Sequence, residues 1–263
     1  MSLSSTVSFD ELNINRRTIN GDLRGARNST MLGLIGNPRG TYDQTCRSPT
    51  NPQIAALMVT HDFGPFRATG LKPAVDTLQD IIKEIERGHN DVHNALSTAG
   101  MLCCRLVRGS STAISNHSWG TAIDLKLEGK LDRRGDGRTQ KGLLEIHPIF
   151  NKHGFFWGAA FSTEDSMHFE ASDQLIRKWA ADGKFGEMPG ALDDGLLNFG
   201  DRGREVEELQ HVLNLRLALD IDVDGIFGKD TQNAVKEFQR RNSLSIDGVV
   251  DPNTAAALGI DLG

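Results

Sequence analysis

The chain has 263 residues, of which 38% are hydrophobic and 24% are charged. This composition is apolar enough for a packed core and argues against a disordered chain. The formal net charge of −6 excludes the basic surface that broad nucleic-acid binding requires. No stretch approaches the roughly 18 apolar residues of a membrane-spanning helix. The sequence therefore predicts a folded protein with neither nucleic-acid nor membrane partners, and we expect a monomer.

Charge is distributed unevenly along the chain, which indicates two modules. Residues 196–263 hold 7 Lys or Arg and 12 Asp or Glu, whereas the rest of the chain holds 22 and 23. Residues 183–195 (GKFGEMPGALDDG) have the Gly, Pro and polar content that is typical of a linker. We predict a first domain over 1–182, a linker over 183–196 and a second domain over 197–263.

The N-terminus and the cysteines bear on the compartment. The first ten residues are polar and lack the apolar run of a signal peptide, which predicts synthesis in the cytoplasm unless a signal has been removed. The three cysteines are Cys46, Cys103 and Cys104. Since their number is odd, two are adjacent and no CxxC is present, they predict buried reduced thiols rather than a disulfide framework.

The first hundred residues predict loops and then a helix and a strand. Residues 1–70 are rich in Gly, Asn and Pro, which favours loops and short elements. Residues 73–98 carry apolar side chains at spacings of three and four, which predicts a helix with a break at Gly88. Residues 101–107 (MLCCRLV) predict a buried strand.

Alternation and helical spacing also mark elements between residues 121 and 181. Apolar and polar residues alternate over 121–127 (TAIDLKL) and over 167–171 (MHFEA), which predicts two strands, the second with His168 and Glu170 on one face. Residues 129–138 (GKLDRRGDGR) predict a charged, Gly-rich loop. Further predicted elements are a helix at 143–150, a strand at 155–157 and a helix at 175–181.

The last 65 residues predict a small helical bundle with a weak internal repeat. Asp224-Gly225 and Asp247-Gly248 begin two similar stretches, each a turn that leads into a helix. Asp251-Pro252 supplies an N-cap and a proline at the first helical position. The predicted fold is therefore α+β, a small antiparallel sheet with flanking helices, joined to a C-terminal three-helix module.

The strongest chemical signal is a set of two histidines and one aspartate. If the strands 121–127 and 167–171 pair, Asp124 and His168 can project from one sheet face, and His117 can reach the same point from a loop. Two imidazoles and one carboxylate make a catalytic zinc shell whose fourth position is left to water. The alternative is that His117 is an ordinary buried polar residue and that Asp124 and His168 merely pair.

A zinc site of this kind also needs a base and a cation. Asp165 lies three residues before His168, a spacing that places a second carboxylate near the metal without making it a ligand. A cation that stabilises a developing oxyanion could come from Arg105 or Arg108, upstream of the His117 loop.

Two segments resemble the signatures of the zinc D-alanyl-D-alanine carboxypeptidase family. SNHSWGTAID is similar to the pattern SxHxxGxAxD, and GFFWGAAFSTEDSMHFE is similar to a GF-W-G stretch with (E/D)xxH after it. The two lie in the family's order, about 40 residues apart, and the resemblance covers roughly 30–172. It implies that His117, Asp124 and His168 bind zinc.

The resemblance also implies roles for residues around the metal. It gives Asp165 as the catalytic carboxylate, where many members carry Glu, with the adjacent Glu164 as second choice. It gives Arg105 as the arginine that binds the substrate or the transition state, with Arg108 as the rival. Ser115 is expected to bind substrate or orient the loop, and a plain turn role stays open.

The C-terminal module resembles the peptidoglycan-binding domain with a three-helix core. The similarity runs over 197–258 and includes Asp224-Gly225-Ile226-Phe227-Gly228 and Asp247-Gly248. Most matching positions are core and turn residues, so they specify the fold better than the ligand contacts. Both resemblances imply peptidoglycan as the partner.

Together these observations predict a zinc-dependent peptidoglycan peptidase that acts on the cell wall, in the periplasm or outside the cell. It would cut a peptide bond of the stem peptide, either the terminal D-Ala-D-Ala bond, as a carboxypeptidase, or an internal bond, as an endopeptidase of endolysin type. The alternative is a catalytically silent, zinc-containing wall-binding protein.

Overall fold

A computed structural model describes residues 2–186 and 196–260. The helices are α1 Asn28–Ile35, α2 Pro52–Ala56, α3 Lys72–Gly88, α4 Asn90–Ala95, α5 Lys141–Lys152, α6 Asp173–Ala181, α7 Arg204–Leu217, α8 Lys229–Arg241 and α9 Pro252–Leu258. The strands are β1 Thr6–Ser8, β2 Met58–Asp62, β3 Arg67–Leu71, β4 Leu96–Gly100, β5 Ala122–Leu127, β6 Lys130–Leu131, β7 Arg138–Gln140, β8 Phe155–Trp157 and β9 His168–Ala171. Within these ranges, no helix combines the length and the apolar character needed to cross a bilayer.

The largest sheet confirms the predicted α+β class. Its strands run in the order β4-β5-β9-β8, with β6 also paired to β5, and all the pairings are antiparallel. β5 and β9 pair in a register that sets Asp124 directly opposite His168. Because residues opposite each other in a ladder point to the same face, this register brings the two side chains together.

Helix α3 packs beside α5 and the β2–β3 hairpin and supplies much of the core. Its apolar residues recur every three or four positions, so Leu78, Ile81, Ile82 and Ile85 all lie on its buried side. The predicted break at Gly88 is confirmed, since α3 ends there and α4 begins at Asn90.

The C-terminal helices α7, α8 and α9 form a separate hydrophobic cluster, as predicted. The internal repeat has a physical basis in two buried glutamines. The Gln210 amide donates to Asp224 Oδ1, and its oxygen accepts the N–H of Gly225. Gln239 makes the same contacts with Asp247 and the glycine next to it. Each glutamine thus fixes one Asp-Gly turn that leads into the next helix.

Among the described residues, Phe199 lies where the two hydrophobic clusters meet. The first cluster is built from residues 9–185 and the second from 197–260, and Phe199 packs against both. The side-chain amide of Asn37 donates to the carbonyl of Phe199. The predicted linker 183–196 lies mostly outside the described residues, so the domain boundaries stay a prediction.

The strand predicted over 101–107 is wrong. The strand in this region is β4, Leu96–Gly100, although Leu96 continues the apolar spacing of the preceding helix. Residues 101–107 make only isolated bridges, from Cys104 to Arg47 and from Leu106 to Ile114. Their bridge partners lie in loops rather than in a long strand. A run of apolar residues in the sequence does not show which partner a segment has.

The prediction for the cysteines is also corrected. Cys46 and Cys103 form a disulfide across 57 residues, whereas Cys104 is a buried free thiol. The Arg47–Cys104 bridge aligns the two segments and brings Cys46 beside Cys103. This pairing depends on a long-range contact between loops, so the spacing of the cysteines gave no sign of it.

Candidate metal centre

Three side chains from two segments converge at one end of the main sheet. Asp124 lies on β5 and His168 on β9, while His117 lies in a short 3₁₀ helix, Asn116–Trp119, that leads into β5. One ligand atom from each of the three residues can be chosen so that all lie within 4.8 Å of one another. The structure therefore brings together all three residues that the sequence predicts as metal ligands.

A glycine makes the approach of the His117 segment to the sheet feasible. Gly120 ends the 3₁₀ helix with a positive φ of 61°. A Cβ at this position would lie 2.8 Å from the Gly70 Cα and from the Leu71 N. Only a glycine combines this backbone conformation with such close packing against β3. The turn sets His117 beside the start of β5.

The hydrogen bonds of His117 identify the nitrogen that faces the cluster. Its Nδ1 lies 3.0 Å from the carbonyl oxygen of Met101, which can only accept a hydrogen bond, so Nδ1 carries the proton. In the neutral ring, Nε2 then presents a lone pair. Nε2 is buried without a hydrogen-bond partner, although it lies 3.3 Å from Asp124 Oδ1. Two electron-rich atoms facing each other at this distance are stabilised by a cation between them.

His168 contacts a carboxylate through each of its ring nitrogens. Nδ1 lies 3.1 Å from Asp124 Oδ1, and Nε2 lies 2.9 Å from Glu170 Oε2. Burial alone would lower the pKa of His168, but hydrogen bonds to Asp124 and Glu170 outweigh it and raise the pKa to about 10. Each ring nitrogen of His168 therefore faces a carboxylate oxygen, Nδ1 that of the clustered Asp124 and Nε2 that of Glu170.

Asp124 stays ionised in spite of its burial. Desolvation raises the pKa of this carboxyl, but its contacts with the imidazoles of His168 and His117 more than offset it and hold the pKa well below the ordinary value. The hydroxyl of Thr98 donates to the backbone carbonyl of Asp124 and ties β5 to β4 at this point.

Asp165 lies next to the cluster, as its spacing from His168 predicts. Its carbonyl accepts the backbone N–H of His168, and its own N–H donates to the carbonyl of Gly158. A Cβ at Gly158 would lie 2.6 Å from the backbone oxygen of Asp165, so the close approach requires glycine. Burial raises the pKa of Asp165, and its Oδ1 is buried without a hydrogen-bond partner. These are properties suited to a general base.

Glu164, the second choice for the base, is occupied in holding a loop. Its side chain is 2% exposed in the folded chain and accepts hydrogen bonds from the backbone and hydroxyl of Ser166. Both its side chain and its carbonyl accept from the N–H of Gly135. Glu164 thus anchors the charged loop before β7 beside Asp165.

That loop carries a cation which the sequence reasoning did not single out. Arg134 Nε lies 3.4 Å from Asp165 Oδ2. The charged and Gly-rich character of the segment was visible in the sequence, but no spacing distinguished Arg134 from Arg133 or Arg138. Its contact with Asp165 exists because Glu164 anchors the loop.

The two predicted arginines differ in their position. Arg105 is half-buried and donates to the carbonyl of Leu106, whereas Arg108 is exposed. Burial and the positive charge of Arg108 lower the pKa of Arg105, while Asp124 and Asp165 raise it. The Arg105 guanidinium is therefore within electrostatic range of the cluster, which makes it the better placed of the two.

Ser115, the predicted substrate-binding residue, is buried at the start of the 3₁₀ helix. Its N–H donates to the carbonyl of Arg105, and its carbonyl accepts the N–H of Ser118. The backbone of Ser115 therefore ties the Arg105 segment to the His117 turn. These contacts account for a positioning role, and the substrate-binding role of the side chain stays a prediction.

Glu170 is a further residue of the site whose role the sequence did not assign. It shares a face with His168, which the alternation of β9 predicts, but only the structure shows its contact with His168 Nε2. Its Oε2 also accepts a hydrogen bond from the side-chain amide of Asn116, at 2.9 Å.

The residues fit a zinc ion. His117 Nε2 is a buried lone pair without a partner, His168 Nδ1 faces the same carboxylate oxygen, and Asp124 is ionised. Two imidazoles and one carboxylate are a ligand set of catalytic zinc sites. The remote nitrogens of both histidines already bond to oxygen atoms, as expected for metal-binding imidazoles.

Comparison with known proteins gives two family matches. Residues 108–171 match the family described as D-alanyl-D-alanine carboxypeptidase, a range that contains the three clustered residues and Asp165. Residues 202–258 match the family described as putative peptidoglycan binding domain, which corresponds to α7, α8 and α9.

Two solved structures also show sequence similarity over a part of the chain. A peptidoglycan-binding protein from Clostridioides difficile, in complex with glutamine hydroxamate, is 36% identical over 26% of this chain and 43% of that chain, with a TM-score of 0.24. The Burkholderia AP3 phage endolysin is 38% identical over 24% of each chain, with a TM-score of 0.23. The match therefore spans less than half the length of either protein, and neither TM-score indicates a shared overall fold.

The cluster of His117, Asp124 and His168 lies in the first matched segment. The hydrophobic cluster of α7, α8 and α9 lies in the second. The chain thus joins a segment that matches the D-alanyl-D-alanine carboxypeptidase family to one that matches the putative peptidoglycan binding domain.

Proposed function

We propose that the protein is a zinc-dependent peptidase that hydrolyses a peptide bond in the stem peptide of peptidoglycan. One observation carries the proposal: a buried, partnerless nitrogen of His117 faces Asp124 and His168, next to Asp165, inside the segment that matches a carboxypeptidase family. The matched peptidoglycan binding domain supports the same polymer as substrate.

His117, Asp124 and His168 would hold the zinc ion. When bound there, Zn²⁺ acts as a Lewis acid that acidifies water and polarises a peptide carbonyl. The remaining chemistry belongs to the side chains around the ligands.

Asp165 is the proposed general base. Its raised pKa favours proton exchange, and its unpaired Oδ1 is free to accept a proton from the attacking water. The same carboxyl then passes the proton to the leaving amine. Arg105, and Arg134 on the loop that Glu164 anchors, supply positive charge near the developing oxyanion.

The proposal is tested with purified peptidoglycan and the zinc-loaded full chain. We expect release of soluble fragments, loss of release with a chelator and recovery on addition of Zn²⁺. A wild-type protein that binds no zinc, or one that stays fully active in the chelator, would overturn the proposal. A protein that binds peptidoglycan and zinc but releases nothing would instead be a silent wall-binding protein.

A further inference from the structure

We infer that Glu170 is a positioning residue that braces the two ligand-bearing segments of the metal centre against each other. The inference rests on the proposed zinc site. It concerns a buried carboxylate that is neither a ligand nor the general base, and that joins the 3₁₀ helix Asn116–Trp119 to strand β9.

The contacts of Glu170 define the brace. Its Oε2 lies 2.9 Å from His168 Nε2 and 2.9 Å from Asn116 Nδ2. His168 is one ligand, and Asn116 directly precedes the ligand His117 in the chain. Glu170 Oε2 therefore accepts one hydrogen bond from the ligand His168 and another from the residue next to the ligand His117.

The direction of these bonds fixes the face that His168 presents. A carboxylate oxygen only accepts, so Nε2 of His168 must carry a proton and Nδ1 is left to face Asp124 Oδ1. The hydrogen bond thereby selects the ring nitrogen that is offered to the metal. Partners of this kind orient metal-binding histidines and raise their basicity.

The N-terminal segment shields the brace from water. Glu170 is 4% exposed, and a Cβ at Gly25 would lie only 2.9 Å from its Oε1. The amide of Asn116 also donates to the carbonyl of Ala26. Residues before α1 therefore cover the carboxylate, so water does not compete for the hydrogen bond to His168.

Glu170→Gln tests the inference because it keeps the shape and removes the charge. A glutamine oxygen in the place of Oε2 can still accept from His168 Nε2 and Asn116 Nδ2, but it lacks the negative charge that strengthens both hydrogen bonds and raises the basicity of the imidazole. We expect the zinc affinity, measured by competition with a chromophoric chelator, to fall about 10- to 100-fold. We also expect the absorption bands of bound Co²⁺ to change, which a loss of stability alone would not cause.

Glu84→Gln is the matched control. Glu84 Oε2 also lies 2.9 Å from a histidine Nε2, that of His153, but this pair is not part of the metal cluster. The variant should bind zinc as the wild type does. Zinc affinity of Glu170→Gln within about twofold of the wild type, with unchanged Co²⁺ bands, would overturn the inference.

Asn116→Ala decides the case if Glu170→Gln does not fold, which circular dichroism of the metal-free protein would show. This variant keeps the contact with His168 and removes the link to the His117 segment. We expect a several-fold loss of zinc affinity, and an unchanged affinity would contradict the brace. Failure of the wild type to bind zinc would overturn the proposed function instead.

Discussion

Asp165 and Asp124 are both half-buried carboxylates at one site, but their surroundings suit them to different roles. Asp124 faces two imidazoles and stays ionised, whereas Asp165 Oδ1 has no hydrogen-bond partner and burial raises the pKa of the group. Titratable residues whose environments push their pKa values apart commonly have different roles in one site.

Replacing Asp165 by Asn should therefore remove the base and leave the ligands intact. We expect kcat for peptide hydrolysis to fall by about 10²- to 10⁴-fold, since this is the usual contribution of a general base. The zinc content, measured by mass spectrometry of the metal, should equal that of the wild type. A variant with full zinc and full activity would exclude Asp165 as the base.

The pH dependence of the reaction should reflect the environment of Asp165. Burial raises its pKa, and the positive charge of Arg134 lowers it in part. The acid limb of kcat/KM should thus lie above the ordinary range of an aspartate. Removing the cation in Arg134→Ala should move the limb to still higher pH.

Arg133→Ala is the control for that shift, because the neighbouring arginine has no ion pair with Asp165 among the described contacts. Its acid limb should coincide with that of the wild type. Equal profiles for Arg134→Ala and the wild type would show that Arg134 does not influence the base.

At the scale of elements, the loop between β6 and β7 contains the buried carboxyl group of Asp132, which destabilises the fold when it is ionised. Asp132 accepts the N–H of Gln140 through Oδ2, but its Oδ1 is buried without a partner. Burial raises the pKa of Asp132 to about 7; backbone hydrogen bonds lower it in part, and the charges of Glu164 and Asp136 raise it further.

This raised pKa predicts a pH-dependent stability. The pKa of Asp132 is higher in the folded chain than in the unfolded chain, so the folded chain binds the proton more tightly. The resulting stability is fully present below about pH 4 and is lost as the pH rises through about 7. Relative to Asp132→Asn, the wild type should lose on the order of 2 kcal/mol of unfolding free energy between about pH 5 and about pH 8. Urea titrations at both pH values test this prediction. An equal change in the free energy of unfolding for the two proteins would contradict it.

The elements that the sequence predicts correctly are those whose apolar and polar residues recur with a regular spacing within one segment. The alternation in β5 and β9 predicted both strands, and their antiparallel register placed Asp124 opposite His168. The strand near residue 100 was misplaced, because Leu96 fits a helical spacing as well as the strand β4. The Cys46–Cys103 disulfide and the Arg134–Asp165 pair depend on contacts between loops, which have no periodic signal.

For the whole molecule, most of the net negative charge lies outside the segment that contains the proposed active site. Residues 196–263 carry 7 basic and 12 acidic side chains, so an anionic wall would not attract them electrostatically. If this part binds peptidoglycan, shape and hydrogen bonds must provide the affinity. We expect co-sedimentation of the full chain with purified peptidoglycan to change little between low and high salt, and a steep loss of binding with salt would contradict this.

The central claim is that the cluster of His117, Asp124 and His168, together with Asp165, cleaves a peptide bond of peptidoglycan. Mass spectrometry of the fragments released by the zinc-loaded chain tests it most directly, with Asp165→Asn as the comparison. We expect fragments that end at one stem-peptide bond, with intact glycan linkages, and almost none from the variant. Release of terminal D-Ala would identify a carboxypeptidase, and cleavage at an internal bond would identify an endopeptidase. Fragments produced by glycan cleavage, or equal release by both proteins, would contradict the claim.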